Sequence, residues 1–206
     1  MKRKTWLITV FIIIGMAVLI YADPDQFFTK AILKLTGYYS APRYLTSQDI
    51  LNKARHEDLI YDNLYKLKSY QTYKEFTEQR MIAVPFVQIY DKHKKLLTLA
   101  SGSDCSWALM NFFSKEDSLA LIAGDSLMYN YVTDRLEPID IRSIRDTFQY
   151  YILAGWANYV PKLSARLFTQ TNEMKKTLNN KVRLSYINFD LQKGWEAEKD
   201  SMEDIQ

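Results

Sequence analysis

The sequence predicts an α/β domain that follows an apolar N-terminal segment. Residues 148–190 run from an apolar stretch through an amphipathic stretch to a second strand-like stretch, which is the order of a βαβ unit. Residues 84–100 contain two short β-rich runs around a charged turn, as a β-hairpin does. Residues 5–22 are eighteen consecutive uncharged residues, which predicts a transmembrane helix before the domain.

Composition limits the classes of function that fit this chain. With 206 residues it can bury one ordinary core once the membrane segment is set aside. Its 27 basic and 24 acidic residues give a net charge of +3 and are scattered, which argues against a nucleic-acid partner. Cys105 is the only cysteine, so an intramolecular disulfide and a cysteine-based metal cluster are both excluded. His56 and His93 lack a second ligand at helical spacing, so no metal or cofactor site is predicted.

The N-terminal segment predicts the location of the protein. The apolar run Thr5–Ala22 follows the basic cluster Lys2-Arg3-Lys4, and a helix of that length just crosses a hydrocarbon layer about 30 Å thick. The positive flank places the N-terminus in the cytoplasm and the remainder in the periplasm or another extracytoplasmic space. A retained single-pass anchor in the inner membrane is favoured over a cleaved signal peptide. Ala22 suits the position before a cleavage site, but Ile20, two positions earlier, is bulkier than the small residue expected there. The apolar run is also longer than that of most signal peptides.

Residues 23–45 are predicted to be a juxtamembrane amphipathic helix and a connector, and residues 46–206 the α/β domain. Gly37 and Pro42 are typical of a helix stop and the connector after it. The apolar stripe of that helix lies in the membrane interface or against the domain, and the sequence does not choose between these. The stripe consists of Phe27, Phe28, Ala31, Ile32 and Leu35.

The first part of the domain is predicted to be helical. The segment Thr46-Ser47-Gln48-Asp49 has the residue types that cap the start of a helix, and apolar residues follow at near-helical spacing. Residues 59–81 continue as helix in this interpretation, with a break at Ser69-Tyr70. The hairpin then comprises Val84–Tyr90 and Leu96–Ala100.

A third helix should follow the turn at residues 101–107. Its buried face is predicted to contain Ala108, Leu109, Phe112 and Phe113. Cys105 falls in the first turn, where the helix dipole would lower the pKa of the thiol and Asp104 would oppose that effect. A buried structural cysteine is favoured over a reactive thiol.

Residues 119–146 carry weaker patterns. Leu119–Ile122 is predicted to be a short strand, and the pattern at Tyr129–Val132 does not favour one element type over another. The charged segment 140–146 is predicted to be a loop or a short helix.

The βαβ unit is the clearest prediction. Phe148–Trp156 is apolar almost throughout, as expected for a central strand that is covered on both faces. Pro161 suits the first turn of the helix that follows, and residues 179–181 end that helix. Val182–Asp190 should be a parallel strand next to the first. The apolar stripe of the helix is Leu163, Leu167, Phe168, Met174 and Leu178.

Residues 146–195 resemble the active-site region of the thioredoxin superfamily, above all the periplasmic thioredoxin-like oxidoreductases. In that family a buried strand leads to Trp-Ala-x-x-Cys-Pro-x-Cys at the start of a helix. Here Trp156-Ala157 and Pro161 match, while Val160 and Leu163 stand at the two cysteine positions. The resemblance implies a partial thioredoxin-like sheet with flanking helices. It also implies that the redox chemistry is absent, because thiol–disulfide exchange needs those sulfurs.

Two further features bear on this resemblance. Only 11 residues follow Trp195, which leaves no room for the C-terminal hairpin and final helix of the family. Val84-Pro85 resembles the proline-led strand whose cis-proline faces the cysteines, but in the family that strand follows the motif and here it precedes it. An ordinary strand-starting proline is therefore the favoured interpretation.

The sequence thus predicts a membrane-tethered, envelope-facing protein that binds a protein or peptide without redox catalysis. In one interpretation Trp156 and Tyr159 are core and rim aromatics. In the other they form a peptide groove with Val160, Pro161, Lys162 and Leu163. Two alternatives stay open: a one-cysteine redox protein that uses Cys105, and a structural component that assembles through its membrane segment. No catalytic residue or cofactor is predicted.

Overall fold

The computed structural model describes residues 33–78, 83–114, 127–143 and 147–203, which form an α/β structure with a mixed sheet. The chain divides into two compact units, residues 1–40 and 41–206. The strands are β1 (Tyr44–Leu45), β2 (Asn63–Leu67), β3 (Phe86–Asp91), β4 (Leu96–Ser101), β5 (Leu136–Ile141), β6 (Tyr150–Trp156), β7 (Val182–Asn188) and β8 (Leu191–Gln192). Within its described residues the second unit has the α-helices α1 (Ser47–His56), α2 (Tyr70–Glu78), α3 (Asp104–Ser114), α4 (Leu127–Thr133), α5 (Pro161–Leu178) and α6 (Glu196–Glu203).

The main sheet has six strands in the order β4-β3-β6-β7-β2-β5. β6, β7 and β2 are mutually parallel, whereas β3 is antiparallel to β6 and to β4, and β5 is antiparallel to β2. β1 and β8 form a separate parallel pair. The parallel neighbours β6 and β7 and the hairpin β3–β4 are confirmed predictions, and the hairpin belongs to the same sheet.

β6 is central because both of its faces are covered. All seven of its residues are buried, and it pairs with β7 along its whole length. Successive side chains of a strand point to opposite faces. Ile152, Ala154 and Trp156 accordingly join one apolar cluster, with buried residues of α1, α3 and α5, while Tyr151 and Leu153 join the other, with residues of α2 and α4. Helices therefore cover both faces of the sheet.

Local signals fix several element ends as predicted. Thr46 caps α1: its hydroxyl accepts a hydrogen bond from Asp49 N at 3.1 Å, and the Asp49 carboxylate accepts one from Thr46 N at 2.8 Å. Such a capping box stabilises a helix by about 1 kcal/mol. In the first unit the helix that includes residues 33–35 stops just before Gly37, whose φ of 72° suits glycine. Both the N-cap and the glycine stop are confirmed.

The helix predicted over residues 59–81 is wrong in its first half. Residues 63–67 form β2, which lies between β7 and β5 in the sheet. The apolar pair Leu64 and Leu67 has helical spacing, but both side chains are buried because an inner strand is covered on both faces and shows no alternation. Pairing with two neighbouring strands outweighs the local pattern. The predicted break at Ser69-Tyr70 coincides with the start of α2.

Residues 136–141 form the edge strand β5, so the loop or short helix predicted from residue 140 is wrong for Asp140 and Ile141. Pro138 lies within this strand, and a proline in a sequence argues against a strand. It is tolerated at a sheet edge because only one side of the strand needs its N–H groups. The undecided segment at Tyr129–Val132 belongs to α4.

Several predictions fall on residues outside the described ranges. These are the transmembrane segment Thr5–Ala22, the strand Leu119–Ile122, and Phe27, Phe28, Ala31 and Ile32 of the amphipathic stripe. Among the residues that the structure does describe, no helix combines the length and the apolar character needed to cross a membrane.

Candidate functional site

The motif residues lie at the carboxyl ends of β6 and β7, where α5 begins. In α/β sheets this end is the usual place for ligands. Trp156 ends β6, the loop Ala157–Val160 follows, and Pro161 opens α5. Pro161 suits that position because its missing N–H would have no partner within the helix.

A buried carboxylate holds this loop. Asp190, which is 1% exposed and follows β7, accepts hydrogen bonds from Asn158 N at 2.9 Å, Asn158 Nδ2 at 3.0 Å and Asn188 Nδ2 at 2.7 Å. Burial raises the pKa of the Asp190 carboxyl above its ordinary 3.8, and the N–H groups of Asn158, Asn188 and Tyr159 act in the opposite direction. The loop before α5 is thus fixed from the neighbouring strand.

Ser164 fixes the loop from the helix side. Its hydroxyl donates to Ala157 O at 2.8 Å and accepts from Ala157 N at 3.3 Å, and both partners are buried. With Asp190 on one side and Ser164 on the other, the backbone between β6 and α5 is held at two points. Side chains carried by this loop are therefore presented in a defined geometry.

Trp156 is a core residue. It is 0% exposed and packs edge-on against Phe168, with ring centroids 5.2 Å apart. Within the described residues its indole nitrogen has no hydrogen-bond partner. This placement agrees with the interpretation as a core aromatic, and Trp156 cannot line an open groove.

The other motif side chains reach the surface. Tyr159, Val160 and Leu163 are partly buried, and Pro161 and Lys162 are exposed. Tyr159 and Val160 pack against the same apolar cluster as Val84, which precedes β3. Tyr70 and Tyr73 of α2 belong to this cluster too, stacked on each other with centroids 5.9 Å apart. We call the set Tyr70, Tyr73, Val84, Tyr159 and Val160 the motif surface.

Pro85 lies beside the motif strand. It precedes β3, as an ordinary strand-starting proline would, but the Val84–Pro85 peptide bond is cis and β3 is the direct neighbour of β6, with Phe86 opposite Gly155. Pro85 precedes the motif in the chain instead of following it, but the two lie side by side in the fold.

Cys105 is buried behind the same proline. Its thiol is 2% exposed and donates to Pro85 O at 3.5 Å and Ala100 O at 3.6 Å. Burial raises the pKa of the Cys105 thiol to about 12 and the charge of Asp104 acts in the same direction, while backbone hydrogen bonds oppose them. This environment agrees with a structural cysteine and disfavours a nucleophilic thiolate.

We expect Cys105 to react very slowly with iodoacetamide in the folded protein. A thiol pKa raised from 9.0 to about 12 lowers the thiolate fraction at pH 8 by about a thousandfold. Rapid alkylation of Cys105 at pH 8 without denaturant would contradict this expectation.

The same raised pKa makes stability depend on pH. The unfolded thiol ionises near its ordinary pKa, so the contribution of Cys105 to stability should be complete below about pH 8.5 and lost as pH rises towards 12.

A Cys105→Ala variant isolates that effect from the tyrosines. Burial likewise raises the pKa of Tyr61 and of Tyr129 to about 12, so wild type and variant both lose stability at high pH. Only the difference between their free energies of unfolding reports on Cys105. It should be constant between pH 6 and 8 and shrink above pH 9.

Sequence reasoning did not find the residues that position this site. Asn188 and Asp190 belong to the predicted strand ending that contributes to the family resemblance, without a role in holding the loop, and Ser164 is not singled out. The spacing Asn188-Phe189-Asp190 around a buried phenylalanine is the one signal that could have indicated two polar side chains on a covered face.

No group of acidic, histidine or cysteine side chains within the described ranges could hold a metal ion, and His56 and His93 are exposed. Comparison of the chain with protein-family models, curated proteins and solved structures finds no match.

Proposed function

We propose that this protein is a membrane-tethered, envelope-facing thioredoxin-like module that binds a protein or peptide at the motif surface without redox catalysis. The observation that carries the proposal is the adjacency of the Pro85-led strand to the motif strand, beside a motif that has lost both sulfurs. The tether is proposed from the apolar run Thr5–Ala22.

The sheet order supports the thioredoxin-like part of the proposal. The family places a hairpin and a final helix after the motif. In this chain the hairpin β3–β4 and the helix α3 come before the motif, yet β3 pairs with β6. A hairpin next to the motif strand, although in a different chain order, supports a rearranged thioredoxin-like arrangement.

Sulfur chemistry does not fit this arrangement. Exchange needs an attacking thiolate and a second sulfur to resolve the mixed disulfide. The motif positions hold Val160 and Leu163, and Cys105 is buried under the hairpin with a raised pKa. What the motif end offers instead is partly exposed aliphatic and aromatic area on a fixed loop, which suits recognition of an apolar side chain of a partner.

The thioredoxin-like arrangement is tested by restoring the sulfurs. In a Cys105→Ala background, we expect V160C/L163C to form an intramolecular disulfide and to reduce insulin in the presence of dithiothreitol, whereas the unmodified protein shows no activity. The helix start lowers the pKa of a thiol at position 160. A matched control, V160C/A165C, places the second thiol at an exposed site of the same helix. Absence of a disulfide in V160C/L163C, or insulin reduction by the unmodified chain, would contradict the proposal.

Binding is tested by photocrosslinking in cells. A photoreactive amino acid at position 159 should capture a discrete envelope protein, while the same group at Arg166, an exposed residue of α5 outside the motif surface, should not. Equal capture at both positions, or none at position 159, would show that the motif surface is not the binding site.

A further inference from the structure

A cleft of about 390 Å³ lies away from the motif surface. It is lined by Ala54 and Arg55 of α1, by Asp58 and Leu59 of the following loop, and by Arg142 after β5. The end of β5 pairs with the start of β2, with Ile141 opposite Asn63, so this cleft is at the amino end of the parallel strands. Its volume is within the range of small-molecule sites.

Arg142 is held in place before any ligand arrives. Its Nε donates to Asp140 Oδ2 at 2.9 Å, its Nη2 donates to the Tyr61 hydroxyl at 2.6 Å, and its guanidinium lies 3.8 Å from the centroid of the Tyr61 ring. Tyr61 in turn donates to Asp140 Oδ2 at 2.8 Å. Within the described ranges Nη1 makes no hydrogen bond, so the fixed guanidinium keeps donor capacity for a ligand.

The cleft also carries one further cationic side chain, Arg55, and one anionic side chain, Asp58. Arg55 and Asp58 are both exposed, and neither side chain has a hydrogen bond or an ion pair with any residue that the structure describes. Asp58 adopts a φ of 49°, which fixes it at the turn after α1. Ala54 and Leu59 complete the lining of the cleft and are almost fully buried, at 1% and 5% exposure.

The balance of these charges identifies the kind of ligand. Two guanidinium groups, of Arg55 and Arg142, are balanced by two carboxylates, of Asp58 and Asp140, and Asp140 interacts with both arginines. A simple anion would meet the Asp58 carboxylate, and a simple cation would meet two guanidinium groups. We propose that the cleft binds a small zwitterion, a free α-amino acid. Arg55 and Arg142 receive its carboxylate and Asp58 its ammonium.

The proposal is tested by titrating the full-length chain with leucine, acetate and inorganic phosphate, with isothermal calorimetry and amide chemical shifts as readouts. Saturable binding of leucine, with shift changes at residues 54–59 and 142 and weaker binding of both simple anions, is the expected result. Acetate or phosphate binding as tight as leucine, shift changes located elsewhere, or no leucine binding would each overturn the proposal.

Two variants test the roles of Arg55 and Asp58 separately. Arg55→Gln should weaken leucine binding at least about tenfold, because a charge-assisted hydrogen bond is lost. Asp58→Asn should weaken leucine binding and strengthen acetate binding, and asparagine tolerates the positive φ at that position. Arg166→Gln, outside the cleft, is the control and should leave the affinity unchanged. Leucine affinities equal to wild type in both cleft variants would also overturn the proposal.

Discussion

Gly155→Ala is expected to destabilise the fold severely. A Cβ at position 155 would lie 1.9 Å from Phe86 Cε1, well inside van der Waals contact. Both residues are buried and face each other across β6 and β3, so neither strand can move without breaking the sheet. Overpacking a dense core costs about 1–3 kcal/mol and sometimes more, and a clash this short belongs at the upper end. Urea unfolding followed by circular dichroism measures the loss.

Two further variants make that result specific. Gly155→Ala combined with Phe86→Leu should be more stable than the sum of the single changes predicts, because the smaller side chain relieves the clash. Gly102→Ala is the matched control: its φ is 60°, but nothing lies within 4 Å of the added Cβ. It should cost only about 1–2 kcal/mol through backbone strain. Equal losses in Gly155→Ala and Gly102→Ala would show that the Phe86 contact does not matter.

The βαβ unit and the hairpin could be predicted because their patterns are local. The apolar run that becomes β6 needs no partner to be recognised, and the turn residues between β3 and β4 are adjacent in sequence. Helix boundaries at Thr46, Pro161 and Gly37 follow from capping chemistry that involves only neighbouring residues. Fold class and most element types therefore follow from short-range information.

β2 and β5 could not be predicted for the opposite reason. β2 is a strand because β7 and β5 hydrogen-bond to its two edges, and those strands begin 115 and 69 residues after β2 ends. The sequence of β2 alone fits a helix stripe equally well. β5 contains Pro138, which is a breaker in most contexts and is accepted only at an edge.

The candidate site likewise has features that follow from neighbouring residues and features that depend on distant ones. The position of the motif at a helix start was predicted, but the carboxylate that holds it comes from Asp190, thirty-two positions beyond Asn158. The nearness of Pro85 to the motif depends on β3 pairing with β6, which the chain order argued against. The sequence favoured a buried Cys105 and offered a core position for Trp156, but the helices that cover these residues are set by the tertiary packing. Such facts are tertiary and leave little trace in a single sequence.

A buried ion pair provides the second large expected effect. Lys175 Nζ donates to Asp62 Oδ2 and to Val182 O, both at 2.6 Å, and Asp62 Oδ2 also accepts from Leu184 N at 2.8 Å. The side chains are 8% and 12% exposed. The pair therefore joins α5 to the start of β7 and to the residue before β2.

Lys175→Met should lower the free energy of unfolding by about 3–5 kcal/mol, because it leaves the Asp62 carboxylate buried without its cation. The neighbouring Lys176 is exposed, so Lys176→Met should change stability by about 0.5 kcal/mol or less. Asp62→Leu with Lys175→Met removes both charges, and this double variant should be more stable than Lys175→Met alone. Chemical denaturation of the wild type and the three variants measures these differences. A double variant less stable than the single would mean that the charge left behind is not the cause. In that case the hydrogen bond from Leu184 N to Asp62 would account for most of the stabilisation.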